Sequence, residues 1–367
     1  MSTKLNKTKK DSFYMNLALM HAQKNLGSTG DNPSVGCVIV NNNQLISVGS
    51  TSFNGRPHAE FNAINFSKKN LKNSSLYVTL EPCSHYGLTP PCTKSIIKKK
   101  IKKVFFSCLD PDKRSFNKSS NLFKKNNIAL KKNVLSNEIK KFYKDYYFFK
   151  KKKLPFVTLK IALSKDFYTK NNKKKWITNN FSRSRVHILR SNHNCLLTSS
   201  KTITEDNPDL SCRIKGLEER SPAIIILDKY LKVPLSSHVL NSKKKRNVTI
   251  FFNKFNKKKL KILKNLKVRL IKFPLDNNGN FNLKNVLQKI KLLGFSRLFI
   301  ESGKDLSSNF LHHKLINNLV IFASNKSIGN QGSKNFKKKI YIYLKNIKPL
   351  HENVNLFGDK FLIYRIK

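Results

Sequence analysis

Pro57-His58-Ala59-Glu60 and, about one βα unit later, Glu81-Pro82-Cys83-Ser84-His85-Tyr86-Gly87-Leu88-Thr89-Pro90-Pro91-Cys92 carry the densest chemistry in this 367-residue chain. The His58 imidazole and the thiolates of Cys83 and Cys92 make a three-ligand set for Zn2+. That set leaves one tetrahedral position open, as catalytic rather than structural zinc sites do. Water at an open zinc ionises near neutral pH and can attack a carbon that bears an exocyclic amine. Glu60, two residues past His58 at the start of a helix, is then free to face that water. It is the expected catalytic proton carrier between water, ring nitrogen and departing ammonia. The helix starts after His58 and after Cys92 carry partial positive charge that favours thiolate. A lone His or Cys pair is more often core filler. H-x-E, P-C and a further Cys in order are a far more specific signal.

Working outward, the first half alternates helical and extended segments, the pattern of an α/β domain. Apolar spacing predicts helices over 11–24 (Asp11 or Ser12 as N-cap), 59–68, 93–100, 119–126 and 136–150. Strands are expected at 34–40, 76–80 and 104–109, with a turn at 41–43. The lysine run 150–153 followed by Leu154-Pro155 marks a boundary, because a residue before proline leaves the helical region. Domains are therefore expected at 1–150 and 154–367, in line with the length. Beyond the boundary, strands are expected at 156–163, 195–199, 223–228, 248–252 and 297–301. The last fifty residues read as strands at 319–323, 340–344 and 361–366 without helices between.

Hydrophobic residues make up 39% of the chain, enough for two ordinary cores. No apolar run approaches the roughly 18 residues of a membrane span. The polar, lysine-rich start shows no secretory signal, so a cytoplasmic chain with reduced cysteines is expected. The formal net charge of +53 could suit a polyanion partner. However, only 11 of the 73 basic residues are Arg, and the lysines are scattered along the whole length. Phosphate-gripping proteins also favour Arg forks. The excess reads as compositional drift, and a nucleic-acid partner is not expected. Assembly into a homo-oligomer is compatible with the sequence.

Zinc-dependent base deaminases carry H-x-E followed by P-C-x-x-C. Here the second cysteine lies nine positions after the first, so the spacing is C-x8-C. This loop, with Asp31-Asn32-Pro33-Ser34-Val35-Gly36-Cys37-Val38-Ile39-Val40 and Pro57-His58-Ala59-Glu60, resembles the deaminase of the bacterial bifunctional riboflavin-biosynthesis family. The resemblance covers the whole first domain and implies a cytidine-deaminase-like three-layer fold. It implies a phosphoribosylaminopyrimidine as the small-molecule substrate, bound in part by Asn32 and His85. Cys37 and Cys108 read as small buried hydrophobes. The family commonly places Lys or Arg before Thr-Pro-Pro-Cys, suited to the substrate phosphate, and here that position is Leu88.

The second half resembles the reductase of the same family at Leu159–Asp166, Trp176-Ile177-Thr178, Leu197–Ser200, Thr202–Leu210 and Ile300-Glu301-Ser302-Gly303. No G-x-G-x-x-G follows a strand, so a Rossmann fold has little support. The resemblance implies a dihydrofolate-reductase-like fold that uses NADPH to reduce the ribosyl group to ribityl. It implies substrate contacts at Lys160, Lys174, Arg190, Leu210, Arg213 and Glu301. Cofactor contacts are implied at Leu163, Trp176, Thr202, Asp206, Lys229 and Gly303. One glycine and one proline of the family pattern are lost. S-x-D-G becomes Ser164-Lys165-Asp166-Phe167, and E-x-G-P-x-L becomes Glu301-Ser302-Gly303-Lys304-Asp305-Leu306. Loss of a glycine can forbid a positive φ or close cofactor approach. Two alternatives stay open at this point: a deaminase with a decayed reductase half, and a nucleic-acid base deaminase with a basic RNA-binding C-terminal region.

Overall fold

The computed structural model describes residues 2–241, 246–351 and 354–366. Contacts divide the chain into two compact units, Met1–Leu154 and Pro155–Lys367. The first contains α1 (Ser2–Lys24), β1 (Gly36–Asn41), β2 (Gln44–Ser50), α2 (Ala59–Phe66), β3 (Ser75–Leu80), α3 (Cys92–Lys98), β4 (Lys103–Cys108), α4 (Ser119–Lys125), β5 (Ala129–Lys131), α5 (Ser136–Phe142) and α6 (Lys144–Lys152). The sheet order is β2-β1-β3-β4-β5. β1 runs antiparallel to β2 and β3, whereas β3, β4 and β5 are parallel. β1, β3 and β4 are buried on both faces, as a sheet covered by helices requires, which explains their near-continuous apolar runs. Gly49 lets α2 sit directly on β2. A Cβ there would lie 2.2 Å from the Ala59 carbonyl oxygen, so the helix that starts after His58 depends on that glycine.

Two expectations need correction in this unit. Asp11 does not cap a helix, because α1 already starts at Ser2. Its buried carboxylate instead accepts from Tyr77 Oη at 2.9 Å and Lys131 Nζ at 2.6 Å. The helix expected over 136–150 is broken at Tyr143. Its hydroxyl is held 2.6 Å from Thr79 Oγ1 and donates to the Ser34 carbonyl at 3.1 Å, anchoring the bend to the sheet.

The second unit contains β6 (Phe156–Leu163), β7 (Tyr168–Asn171), α7 (Asn180–Ser191), β8 (Cys195–Ser199), α8 (Ser200–Asp206), β9 (Ala223–Leu227), α9 (His238–Asn241), β10 (Val248–Phe252), α10 (Lys257–Asn265) and β11 (Arg269–Lys272). Then come α11 (Leu283–Leu292), β12 (Arg297–Ile300), α12 (Lys304–His312), β13 (Asn318–Ala323), β14 (Gly332–Asn335), α13 (Lys337–Leu344), β15 (Leu350–His351) and β16 (Lys360–Arg365). The main sheet runs β11-β10-β9-β8-β12-β6-β13-β16-β15. It is parallel from β11 to β13 and antiparallel beyond. β12 returns between β6 and β8, so the strand order reverses there, and such switch points open a ligand crevice at the carboxyl ends of parallel strands.

Residues 340–344, expected as a strand, lie in α13. The β-branched and aromatic content suggests extended structure, but Phe336, Ile340 and Leu344 recur at helical spacing, and Phe336 and Leu344 are buried. Phe167 adopts φ 68°, so the missing glycine does not forbid the left-handed turn. Neighbours hold it there. Ser164 Oγ donates to Asp166 at 2.6 Å, Gly329 N donates to the same carboxylate at 2.8 Å, and Phe336 N donates to the Phe167 carbonyl at 2.9 Å. A Cβ in this region costs about 1–2 kcal/mol. Phe167→Gly is therefore expected to exceed Phe167→Ala in stability by about 1 kcal/mol in urea unfolding, since both lack the ring and only the latter retains the strain.

Candidate active sites

In the first unit three chain segments converge. His58 is the N-cap residue of α2, Cys83 follows β3, and Cys92 opens α3. His58 Nδ1 lies 3.6 Å from Cys83 Sγ and 3.4 Å from Cys92 Sγ. The ligand atoms of the three side chains all lie within 4.8 Å of one another. The Cys92 amide donates to Cys83 Sγ at 3.3 Å, so one end of α3 stabilises the other ligand as an anion. The Cys83 thiol is pulled down to about 4, chiefly by its hydrogen bond with Cys92 and then by His58. The same sharing of charge, with burial, pushes Cys92 up. Glu60 stands in the first turn of α2 and is buried. Burial, opposed by His58 and reinforced by Cys83, raises its carboxyl to about 7.

A cleft opens over this cluster. It includes Asn32, Arg56, His85, Asp110, Asp112, Arg114, Tyr146 and Lys150. Both expected substrate contacts, Asn32 and His85, therefore face the same space as His58, Cys83 and Glu60, with Cys92 buried outside the cleft lining. Asn32 Nδ2 donates to the Gly55 carbonyl at 3.2 Å, and His85 Nδ1 lies 2.9 Å from Ser115 Oγ. Leu88, by contrast, is 88% exposed and outside the cleft wall. The far wall is not anticipated by the sequence motifs. Glu81 shapes it, accepting from the amides of Asp110 (3.3 Å), Asn117 (2.9 Å) and Ser119 (3.2 Å). Burial raises Asp110 to about 6, while Tyr146 Oη donates to it at 3.0 Å. Asp112 is held well below the usual carboxylate range by Arg114. Asp110-Pro111-Asp112 directly follows a buried parallel strand, a placement that could have marked these acids as a ligand-facing wall.

In the second unit, Glu301 follows β12 and accepts Arg190 Nε at 2.6 Å and Nη2 at 3.1 Å, a bidentate pair. Lys160 Nζ stands 3.6 Å from the same carboxylate. Arg190 Nη1 donates to the Ser211 carbonyl at 2.9 Å, tying in the stretch that holds Leu210 and Arg213. The structure thus gathers Lys160, Arg190 and Glu301, but the Arg190 fork closes on Glu301 rather than standing open to an anion. Leu210 is buried and Arg213 is exposed beside Asp209. On the other side of the switch point the Gly303 amide donates to Thr202 Oγ1 at 3.1 Å. A Cβ on Gly303 would meet nothing nearer than that oxygen at 3.8 Å, so the crevice is open there. Leu163 ends β6 and Asp206 ends α8. Lys174, Trp176 and Lys229 make their contacts elsewhere. The Lys174 amide donates to Asn171, Trp176 lies under the Arg183 guanidinium at 4.8 Å, and Lys229 Nζ donates to the Gly279 carbonyl at 2.7 Å. Asp305 sits in the first turn of α12, where its charge is met by Lys201 at 2.8 Å.

Residues 8–108 match the cytidine and deoxycytidylate deaminase zinc-binding region, and residues 155–349 match the RibD C-terminal domain. The riboflavin biosynthesis protein RibD of Aquifex aeolicus is 34% identical over 360 residues, which is 96% of this chain and 99% of that protein. Among solved structures, Acinetobacter baumannii RibD aligns with a TM-score of 0.83 at 28% identity, covering 98% of this chain and 99% of that one. A diaminohydroxyphosphoribosylaminopyrimidine deaminase/5-amino-6-(5-phosphoribosylamino)uracil reductase from Thermotoga maritima aligns with a TM-score of 0.81, also at 28% identity and with 98% and 99% coverage.

The buried triad gives a pH signature. Burial alone would raise Glu301, yet the Arg190 and Lys160 charges bring it down to about 2 from an ordinary 4.5. A carboxylate depressed on folding stabilises above its unfolded pKa, and that stability fades as pH falls through the folded one. Its contribution at neutral pH is on the order of 3 kcal/mol. Wild-type unfolding free energy is expected to drop steeply between pH 5 and about 2. Glu301→Gln is expected to be less stable at pH 7 but to show a flatter profile over that window.

Proposed function

Because the chain belongs to the RibD family of riboflavin biosynthesis proteins, we infer that its first unit deaminates 2,5-diamino-6-(5-phosphoribosylamino)pyrimidin-4-one and that its second reduces the product's ribosyl group to ribityl. The observation that carries this reading is the convergence of His58, Cys83 and Cys92 beside the buried acid Glu60. One imidazole and two sulfurs, one of them poised as thiolate, suit zinc and leave it a free position. His58, Cys83 and Cys92 would hold it. When bound, zinc supplies a Lewis acid that lets water ionise near neutral pH. Glu60 takes a proton from the attacking water and passes it to the pyrimidine ring nitrogen. It then takes the remaining proton from the added hydroxyl and delivers it to the amine that leaves as ammonia, so water and aminopyrimidine become oxo-pyrimidine and ammonia. A carboxyl near pH 7 is matched to both halves of that transfer. Asn32 and His85 orient the ring from the cleft wall.

The second unit needs neither metal nor nucleophile. When bound, NADPH would supply the hydride for reduction of the ribosyl group. The open crevice at Gly303 and Thr202 suits the cofactor, with Leu163, Trp176, Asp206 and Lys229 as further candidate contacts. Glu301, oriented by Arg190 and set beside Lys160, faces the substrate, with Lys174, Leu210 and Arg213 as outlying contacts. The C-x8-C loop and the second unit both speak against a nucleic-acid base deaminase. The substrate is a small molecule, the lysine excess has no polyanion role, and the setting is cytoplasmic. No helix among the described residues is long and apolar enough to cross a membrane.

Two outcomes test this reading. Glu60→Gln is expected to retain stoichiometric zinc yet lose ammonia release by at least about 100-fold. Zinc removal by chelation is expected to stop ammonia release while NADPH oxidation on the deaminated product continues. Continued deamination by Glu60→Gln would overturn the proton assignment. Loss of both activities on chelation would overturn the division of labour.

A further inference from the structure

If the first unit acts on a phosphoribosylated pyrimidine, as inferred above, its cleft must hold a phosphate dianion. A buried or half-buried phosphate needs charge-assisted donors, and Arg offers a fork suited to it. Leu88 offers none and points into solvent. Three cations line the cleft: Arg56, Arg114 and Lys150. Two of them share the single carboxylate of Asp112, which takes Arg114 Nη2 at 2.7 Å and Lys150 Nζ at 3.2 Å, so each has part of its charge and some of its donors committed. Among the described residues, Arg56 has no acidic partner.

We propose that Arg56 is the phosphate-binding residue of the deaminase cleft and stands in for the missing cation at Leu88. Its guanidinium reaches the very loop that carries Leu88. Nη1 donates to Thr89 Oγ1 at 3.0 Å, and a Cβ added to Gly87 would meet Nη2 at 3.6 Å. Nη1 also lies 3.3 Å from His58 Nε2. The Nδ1 atom of that ring faces the two sulfurs, so the neutral metal-binding imidazole carries its hydrogen on Nε2 and presents a donor to a donor. His58 therefore gives Arg56 no acceptor in the working enzyme, and Thr89 alone leaves most of the fork's donors open. The backbone fixes where the fork starts. Gly55 adopts φ 85°, and a Cβ there would come within 2.3 Å of Asn32 Nδ2, so the turn that presents Arg56 is locked against Asn32. Base-orienting Asn32 and phosphate-binding Arg56 are thus presented by one turn.

The test compares the phosphorylated substrate with its dephosphorylated riboside in ammonia release by full-length, zinc-loaded protein. Arg56→Ala is expected to raise KM for the phosphorylated substrate roughly 10- to 100-fold, with kcat changed less than about threefold. It should leave the riboside unaffected and keep its zinc. Arg56→Lys is expected to recover most of the loss on the phosphorylated substrate only. An equal loss on both substrates, or no loss on the phosphorylated one, overturns the proposal while leaving the deaminase reading intact. A wild-type protein that releases ammonia from neither compound overturns the deaminase reading, and this proposal with it.

Discussion

The first unit is organised around a single constraint: one imidazole nitrogen and two sulfurs must meet although they come from three separate segments of chain. α2 must sit tightly on β2, which Gly49 permits, so that His58 and Glu60 leave the helix start together. β3 must deliver Cys83 to the sheet end, and the loop after it must return Cys92 to the start of α3. The amide of Cys92 then bonds Cys83 Sγ, so backbone and ligand chemistry reinforce each other. Glu60 becomes a useful acid because that packing buries it.

The second unit answers a different electrostatic problem. A carboxylate at the end of a central parallel strand is expensive to bury alone. Arg190 meets it with two parallel hydrogen bonds and Lys160 adds a second charge. The result is a rigid polar floor where the strand order reverses, next to the open approach at Gly303. Such a triad is weak evidence for net stability, since apolar replacements can be as stable. Its value lies in fixing an acid at the place where the sheet opens to ligand.

How far this is legible in sequence depends on whether the chemistry is local. His58, Glu60, Cys83 and Cys92 can be read because few chemistries besides a catalytic zinc centre ask for those residue types at that spacing. Strands with near-continuous apolar runs, such as those ending at Leu80 and Cys108, are equally plain. Where sequence misleads, one cause recurs. Local propensity speaks for Asp11, Tyr143 and residues 340–344, but tertiary partners decide them: Tyr77 and Lys131 for the first, Thr79 and Ser34 for the second, and burial of Phe336 and Leu344 for the third. Arg190 resembles a phosphate ligand in sequence because its acid partner lies 111 positions away. The far cleft wall is hidden for the same reason, since Glu81 builds it from residues 110 to 119. Arg56, beside the H-x-E motif, does not stand out by type or spacing among the many positive charges of so basic a chain.

The metal centre underlies all of this, and X-ray absorption at the zinc edge of the purified protein addresses it directly. Two sulfur scatterers at about 2.3 Å with two lighter nitrogen or oxygen neighbours at about 2.0–2.1 Å, at one zinc per chain, are the expected result. A four-sulfur shell, or protein that folds fully without stoichiometric metal, would contradict the account.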